Sequence, residues 1–475
     1  MPTMKRALQR LSPVDLIRRM CVQSVSILLM TVLVGCGHAR QVPQADVQTS
    51  RPIHLVVLMH GIYGAPSHFG YMRDALSAHL NTASATHFFD VQHFSYETLD
   101  ASLSIRDFAK ELDVFLSQHA SEADGALDRI SFVMHSQGGL VGLRWFLNAR
   151  QGRPGFSADL VSRVDAMVTL GTPFWGAKMA TFTRHLNPLL NTKHLQEIAP
   201  GDRQLTGMAF GSDDIFERRL DVLELANSTE RIPFRMLNIA GYVTWLKPLA
   251  PVSAGAMEYE DDTAVPVPSA HMNFLYMREK GTQAASQRRT KGTATLARFE
   301  VVNAIHLSPV VESPQISRGI AQVQSNCIVD QKCDHPSFGL ILNHLKGETG
   351  PTLSSHQKKM TAFMVDLNLH LKADRPVDYD QIKIRFSNMP TGITVASDIE
   401  LYSSGRATVQ HASAYRRFFF VGSMSGGKAE EAGDAQVQSQ ELTLVIEAEG
   451  YQPRTVRVPV RQATSTFLDL EMNPL

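Results

Sequence analysis

The feature that most constrains the fold is an alternation of short apolar runs with stretches of helical period between about residues 53 and 320. The apolar runs have strand lengths of about four to eight residues, and the stretches between them carry apolar residues every three or four positions. This alternation predicts a doubly wound α/β domain with a mostly parallel sheet. The predicted strands are Ile53 to Met59, Phe88 to Phe94, Arg129 to Met134, Ala166 to Leu170, Phe234 to Ala240 and Arg298 to Ile305.

Two segments depart from this alternation. Residues 174–232 form a long, mostly helical insertion between two predicted strands, which predicts a helical cap. Its apolar residues are candidates to cover an apolar ligand pocket or to form ordinary helix core: Phe174, Trp175, Met179, Phe182, Leu186, Leu189 and Leu190. Residues 279–295 are polar and lack a period, so we expect a loop there.

Beyond residue 350 the hydrophobic period changes from helical to two. Strict alternation through residues 365–372 and 382–386 predicts an antiparallel β-sandwich of about 120 residues, a typical domain size. The predicted organisation is therefore an α/β domain over residues 53–350 and an all-β accessory domain over residues 351–475. We find no catalytic constellation in the second domain and expect it to bind a protein or a glycan.

The N-terminus has the layout of an export signal. Basic residues precede an apolar run at residues 25–34, which is shorter than the roughly 20 residues of a membrane-spanning helix. The run ends in Leu33-Val34-Gly35-Cys36, which resembles the bacterial lipobox. The resemblance implies a signal peptide over residues 1–35, lipid attachment at Cys36 and a linker over residues 36–52. The resemblance also implies a lipid-anchored protein of the bacterial cell envelope. In the lipoproteins that this segment resembles, Asp after the cysteine signals inner-membrane retention, so Gly37 implies the outer membrane, facing the periplasm.

Charge and cysteine content bound the partners and the metal chemistry. The 46 Lys and Arg residues balance the 46 Asp and Glu residues, so the chain lacks the positive field that phosphate contacts need, and we expect no nucleic-acid partner. Beyond the predicted signal and lipobox, the remaining cysteines are Cys327 and Cys333. In an oxidising periplasm we expect a local disulfide, with a metal site that includes His335 and a free, reduced pair as the alternatives.

The candidate nucleophile is Ser136. The strand that ends at Met134 runs into His135-Ser136-Gln137-Gly138-Gly139, and a helical pattern follows at once. A strand, serine and helix in this order predict a sharp elbow that lifts the hydroxyl above the carboxyl edge of the sheet, and Gly138 lets the helix start close to the strand. Met134 stands where the G-x-S-x-G pattern has its first glycine. The alternative is that Ser136 is a simple helix N-cap.

The partners that a nucleophilic serine needs follow other strands. The first strand ends in His60-Gly61-Ile62, so the Ile62 and Gln137 N–H groups are the candidate oxyanion donors. His306 follows the last strand of the α/β domain and is the candidate base. The orienting carboxylate falls in Glu260-Asp261-Asp262, where Asp262 gives the chain order Ser, Asp, His, and Asp261 and Glu260 remain open.

These motifs together resemble the serine lipases and esterases of the α/β-hydrolase fold, in the group that includes GPI inositol-deacylase-like enzymes and bacterial lipases. The resemblance covers about residues 53–320 and rests on four matches in order: His60-Gly61, the Ser136 elbow, Leu170-Gly171-Thr172-Pro173 and Asp262-x-x-Val265-Pro266. It implies that Asp262 is the triad acid and His306 the base, with His335 as a reserve candidate for the base.

The sequence therefore predicts a serine hydrolase of lipid or other acyl esters that works through an acyl-enzyme and needs no metal or cofactor. Acyl transfer to another acceptor and thioester cleavage use the same machinery and remain alternatives. A rival from another class is a non-catalytic hydrolase-fold lipoprotein that acts as a binding module at the envelope.

Overall fold

The computed structural model describes most of the chain from residue 51 onward. The described residues are 51–98, 100, 102–177, 180, 202–228, 234–243, 262–280, 289–294, 296–307, 319–329, 333–348, 362–373, 382–389, 393–401, 412–423 and 439–475. Cys36 and the predicted signal peptide lie outside these ranges, so the lipid anchor and the envelope location stay predictions. No helix in the described ranges is long and apolar enough to cross a membrane.

The described residues contain fifteen β-strands and seven α-helices. The strands are β1 (Ile53–Met59), β2 (Phe88–Phe94), β3 (Leu127–His135), β4 (Val164–Leu170), β5 (Arg235–Gly241), β6 (Phe274–Glu279), β7 (Arg289–Ala294), β8 (Arg298–Val302), β9 (Ala362–Ala373), β10 (Lys383–Asn388), β11 (Ile393–Leu401), β12 (Ala412–Ser423), β13 (Ser439–Glu447), β14 (Arg454–Arg461) and β15 (Thr464–Glu471). The helices are α1 (Met72–Leu80), α2 (Ile105–Glu122), α3 (Gln137–Arg150), α4 (Asp202–Thr206), α5 (Asp213–Asn227), α6 (Asn326–Val329) and α7 (Phe338–Lys346).

The central sheet has six strands in the order β2-β1-β3-β4-β5-β8, and every neighbouring pair is parallel. This confirms the predicted doubly wound α/β architecture. The six predicted strands are present, although β8 ends at Val302, three residues before the predicted end. Because all six strands run the same way, their carboxyl ends meet at one edge of the sheet.

Apolar layers cover both faces of the central sheet. In β1, Leu55, Val57 and Met59 pack into one layer with α2 and α3, while Val56 and Leu58 pack into the opposite layer with α1 and α7. A strand buried on both faces reads as a continuous apolar run, which explains the run that ends at Met59. Within the predicted cap, α4 and α5 are helical as expected.

Two further sheets follow the predicted change of period. Strands β10, β13 and β14 form an antiparallel three-stranded sheet, and six strands form a second sheet in the order β11-β12-β9-β15-β6-β7. One difference from the predicted antiparallel pairing is β15, which pairs parallel with both β9 and β6. Strands β6 and β7 come from before residue 300, so the second sheet also draws on the part of the chain assigned to the α/β domain.

The predicted loop over residues 279–295 is wrong for Arg289–Ala294, which form β7 and pair antiparallel with β6. Residues 281–288 and 295 lie outside the described ranges. The strand escapes a sequence search because it lies at the edge of its sheet, where charged residues are usual and the apolar alternation of a half-buried strand is not required.

In the second six-stranded sheet, residues 365–369 of β9 are buried on both faces. Leu367 and Leu369 of β9 pack with Leu442 and Leu444 of the three-stranded sheet. The polar residues between them are buried as well, since the exposed fractions are 0% for Asp366 and 1% for Asn368. On this polar face, the carboxylate of Asp366 is ion-paired with the guanidinium of Arg417, and both side chains are fully buried.

A buried ion pair joins α5 of the cap region to β15. The Arg219 guanidinium donates from Nη1 and Nη2 to the two carboxylate oxygens of Asp469, at 2.9 and 3.0 Å. Tyr276 of β6 donates its hydroxyl to the same carboxylate at 2.9 Å. Burial alone would raise the pKa of Asp469, but the nearby His370 and Arg219 outweigh burial and hold that pKa well below its usual range. The pair therefore forms with both groups charged.

Removing one partner of this pair should destabilise the protein strongly. We expect Arg219→Met to lower the free energy of unfolding by about 3–5 kcal/mol, because it leaves the Asp469 carboxylate buried without its cation. The double variant Arg219→Met/Asp469→Asn should lose less than the sum of the two single variants. Chemical denaturation of the four proteins measures this coupling, and strict additivity would contradict an energetic link between α5 and β15.

Candidate active site

Ser136 lies on a strained elbow between β3 and α3. Its backbone has φ 54° and ψ −123°, in the left-handed region of φ that residues with a Cβ seldom adopt. The Ser136 N–H donates to the carbonyl of Leu170 at 2.9 Å, which fixes the elbow to the end of β4. Ser136 takes the N-cap position of α3, yet its side chain makes no capping hydrogen bond. The N-cap alternative therefore does not account for the serine.

Two glycines let other chain segments approach this elbow. A Cβ at Gly138 would lie 2.7 Å from the carbonyl oxygens of both Met59 and His60, so this glycine lets α3 start directly against the end of β1, whereas the expected close approach was to β3. A Cβ at Gly61 would lie 2.6 Å from the Cβ of Ser136. The turn after β1 therefore passes directly beside the serine.

Met134, the departure from the usual elbow pattern, is accommodated by a glycine one helical turn into α3. The Met134 side chain is fully buried, and a Cβ at Gly142 would lie 2.3 Å from its Sδ. The Met134 side chain of β3 thus fills the space that a side chain at position 142 of α3 would occupy. The methionine does not displace the elbow, because the helix leaves room for it.

Asp262 and His306 form a buried hydrogen-bonded pair. The Nδ1 of His306 lies 2.7 Å from the Oδ2 of Asp262. The other carboxylate oxygen accepts from the Ala264 and Val265 N–H groups at 3.1 and 2.8 Å. The exposed fraction is 1% for Asp262 and 7% for His306. Because backbone donors hold Oδ1, the carboxylate presents Oδ2 to the imidazole in a fixed direction.

Glycines again make the close approach possible. Gly171, with φ 56°, faces the pair, and a Cβ there would lie 2.5 Å from Asp262 Oδ2 and 3.0 Å from His306 Nδ1. Gly171 belongs to the Leu170-Gly171-Thr172-Pro173 motif, so the geometry gives a reason for that motif: any side chain at position 171 would separate the acid from the base.

His306 and Ser136 lie at the same edge of the central sheet, four residues beyond β8 and one residue beyond β3 respectively. Between these two residues themselves, no hydrogen bond joins the Ser136 hydroxyl to the His306 ring in this structure. His135, the residue before Ser136, packs its ring against the His306 ring with centroids 4.7 Å apart, so the elbow and the histidine are adjacent.

The candidate oxyanion donors lie on the two segments that meet at the elbow. Ile62 sits in a tight turn in which Gly64 N–H donates to the Gly61 carbonyl at 2.9 Å, and Gln137 is the first residue of α3. The first N–H groups of a helix have no partner within the helix. Among the described residues, neither the Ile62 nor the Gln137 N–H donates to a backbone carbonyl. Backbone pairing therefore leaves both N–H groups unused, as the candidate role requires.

Sequence reasoning missed the support beneath this turn. The Tyr96 hydroxyl donates to the His60 carbonyl at 2.6 Å, and the two rings stack with centroids 4.6 Å apart. Tyr96 follows β2 in a segment without any motif, so the sequence holds no signal for this role.

The reserve candidates fall away from the site or outside the described residues. His335 lies with Nε2 3.1 Å from the Gly319 carbonyl, so its ring donates there and not at Asp262. Asp261 and Glu260 are outside the described ranges. Cys327 and Cys333 form the predicted disulfide. No group of three or more metal-binding side chains comes together in the described part of the chain.

Some of the apolar cap residues lie in the main core, and the others lie outside the described residues. Phe174 and Trp175 are buried in the main core, where Trp175 packs edge-on against Phe274 and Phe467. They are core residues, the second of the two alternatives that the sequence left open. Met179, Phe182, Leu186, Leu189 and Leu190 lie outside the described residues.

A buried arginine holds the cap helix α5 to the segment that follows β4. Arg218 donates from Nη1 to the Phe174 carbonyl at 2.7 Å and from Nη2 to the Gly207 carbonyl at 3.0 Å. Burial, more than the nearby Arg144, lowers the pKa of Arg218 to about 10, so it remains a cation at neutral pH. Burial of this cation is tolerated because both carbonyls accept hydrogen bonds from it.

The fit between Met134 and Gly142 makes a specific prediction. Gly142→Ala should lower the free energy of unfolding by about 1–3 kcal/mol, because the added methyl overpacks a filled core. This loss of stability should exceed the stability that alanine adds through its higher helix propensity. Adding Met134→Ala should relieve the overpacking in the double variant. Thermal unfolding of the three variants tests this, with Ser121→Ala at an exposed position of α2 as a control; a more stable Gly142→Ala protein would contradict the packing.

Comparisons with known proteins match part of the chain to an esterase family. Residues 49–231 match the family model described as "Putative serine esterase (DUF676)", a range that contains Ile62, Ser136 and Gln137. No curated protein sequence matches the chain.

One of two similar solved structures shares the fold over most of its length, and both are low in sequence identity. Phospholipase PlaB from Legionella pneumophila, in complex with thio-NAD, is 12% identical, with a TM-score of 0.60 over 89% of this chain and 94% of that chain. Lipase BlEst2 from Bacillus licheniformis, in its mature form, is 18% identical, with a TM-score of 0.33 over 49% of this chain and 83% of that chain. The chain has the α/β-hydrolase fold, and residues 49–231 carry its match to a serine esterase family.

Proposed function

We propose that the protein is a serine hydrolase that cleaves carboxylic esters of lipids or other acyl compounds through Ser136, His306 and Asp262. The observation that carries the proposal is the buried 2.7 Å hydrogen bond between His306 and Asp262, at the sheet edge that also holds Ser136 on its elbow. Three groups of these types, at this edge and in this chain order, are what an α/β-hydrolase triad requires.

The pair defines which nitrogen of His306 can act as the base. A carboxylate without a proton only accepts hydrogen bonds, so the His306 Nδ1 carries the hydrogen in this pair. In the neutral ring, Nε2 then holds the lone pair and can take the proton of the serine hydroxyl. Asp262 stabilises the imidazolium that forms, and the backbone N–H groups on Oδ1 hold the carboxylate in its orientation.

The proposed reaction has two halves. Ser136 Oγ attacks the ester carbonyl while His306 accepts its proton, and the Ile62 and Gln137 N–H groups stabilise the oxyanion. When the tetrahedral intermediate collapses, His306 returns the proton to the leaving alcohol and an acyl-serine remains. Water, activated by the same histidine, then attacks the acyl-serine and releases the carboxylic acid. These steps need no cofactor.

Lipid esters are the proposed substrate class. PlaB is a phospholipase and shares the fold over most of both chains, which supports a lipid substrate for this protein. The finer grouping with GPI inositol-deacylase-like enzymes stays a prediction. Acyl transfer and thioester cleavage share the acyl-serine and differ only in the acceptor or in the leaving group.

The assignment predicts large and graded losses of activity. With p-nitrophenyl esters of increasing chain length, we expect Ser136→Ala to lower kcat by about 10⁶-fold and Asp262→Asn by about 10⁴-fold, because the first removes the nucleophile and the second the orienting charge. Initial rates measured on the purified protein give both values. The same series of esters shows which acyl chain length the protein prefers.

Ser162→Ala, at an exposed serine, is the matched control and should leave the rates unchanged. Hydrolysis that survives Ser136→Ala at the wild-type rate would show that the reaction, if any, occurs elsewhere. A folded wild-type protein that hydrolyses none of the esters would favour the binding-module alternative.

A further inference from the structure

His135 occupies a place that the proposed reaction does not use. It is the last residue of β3 and directly precedes Ser136, and its exposed fraction is 1%. Its Nε2 lies 3.0 Å from the backbone carbonyl oxygen of His306, and the two imidazole rings pack with centroids 4.7 Å apart at an interplanar angle of 43°. The residue before the candidate nucleophile therefore touches the candidate base with both its ring face and its polar end.

The hydrogen bond fixes the state of the His135 ring. A carbonyl oxygen only accepts, so Nε2 must carry the hydrogen. Burial, and next the neighbouring His306, hold the pKa of His135 well below its usual range, so the ring is neutral and has this single N–H. Its Nδ1 is buried and has no hydrogen-bond partner in the described part of the chain. The single N–H donor of the His135 ring therefore bonds to the His306 carbonyl.

The hydrogen bond from His135 to His306 joins two segments that backbone pairing does not connect. In the sheet order, β4 and β5 separate β3 from β8, so the segment after β8 does not pair with β3. The backbone of His306 is held on one side by Asp262, whose carbonyl accepts the His306 N–H at 2.6 Å. On the other side its carbonyl accepts from His135. The base is therefore clamped between the acid and the residue that adjoins the nucleophile.

We propose that His135 is a positioning residue that sets the distance between His306 and Ser136. The proposal rests on the proposed hydrolase function. Since residues 135 and 136 are neighbours in the chain, a shift of the His306 backbone relative to the elbow must break or bend the His135 hydrogen bond. A misplacement of about 1 Å between reacting groups is enough to cost roughly 100-fold in rate.

Three substitutions separate the roles of the donor and of the ring. His135→Phe keeps an aromatic ring against His306 but removes the donor. His135→Gln removes the ring but carries an amide N–H at about the reach of Nε2, and His135→Asn carries one that is too short to reach the carbonyl. We expect kcat to fall about 10- to 100-fold in His135→Phe and His135→Asn, with KM for a short ester within about twofold of wild type, and to recover by at least threefold in His135→Gln.

The matched control is His54→Phe. His54 is also buried on the central sheet and hydrogen-bonded through Nε2, in this case at 2.8 Å from the Ser131 hydroxyl, but it lies at the opposite end of β1 from Gly61. His54→Phe should lower the melting temperature by an amount comparable to His135→Phe and leave kcat unchanged. If His135→Phe does not fold, the comparison of His135→Gln with His135→Asn decides alone.

The outcomes separate the two proposals. A kcat within twofold of wild type in His135→Phe or His135→Asn, or no recovery in His135→Gln, overturns the positioning role while Ser136→Ala remains inactive and the hydrolase function stands. Wild-type protein whose hydrolysis does not depend on Ser136 overturns the hydrolase function, and the role of His135 falls with it. A loss of kcat that equals the loss in His54→Phe shows a stability effect and also overturns the positioning role.

Discussion

The site depends on the hydrogen bond between His306 and Asp262. The two side chains can approach each other because the residues packed against them are glycines. Gly171 and Gly241 both face Asp262, and a Cβ at Gly241 would lie 2.6 Å from the Asp262 Cβ and 2.5 Å from the Ala304 carbonyl oxygen. A buried carboxylate next to an imidazole is costly unless its oxygens are satisfied, and here two N–H groups and the ring satisfy them. The ends of β4, β5 and β8 are shaped around this pair.

The C-terminal strands support the segment that carries the acid. After Asp262 the chain makes a short 3-10 turn at Val267–Ser269, and the Ser465 hydroxyl of β15 donates to the Pro268 carbonyl at 3.0 Å. The His271 ring is hydrogen-bonded to the Ala463 carbonyl, in the turn between β14 and β15. Ser269 in turn donates its hydroxyl to the Gly176 carbonyl at 2.6 Å, which ties the same segment to the loop after β4. The second sheet is thus part of the frame of the site and not a detached appendage.

Local signals predicted the central sheet and the residues at its edge, whereas long-range packing escaped them. The runs that form β1 and β2 have their predicted ends, and the positions of Asp262 and His306 after successive strands predicted their encounter. The partnership of Met134 with Gly142 was hidden, since a glycine inside a helix carries no mark of the side chain that fills its place. Alternation at residues 365–372 predicted a strand, but only the tertiary packing decides that Asp366 and Asn368 are buried. The pairing of β15 with β6 joins residues far apart in the chain, for which one sequence holds no signal.

The most direct test of the central claim is reaction of the purified protein with a fluorophosphonate probe, followed by mass spectrometry of its peptides. The probe modifies a serine whose hydroxyl is activated by a base, so it reports the proposed chemistry without knowledge of the natural ester. The account predicts modification at Ser136 and its loss in His306→Ala. A folded protein that stays unmodified, or one modified at a different serine, would contradict the assignment of Ser136 and His306.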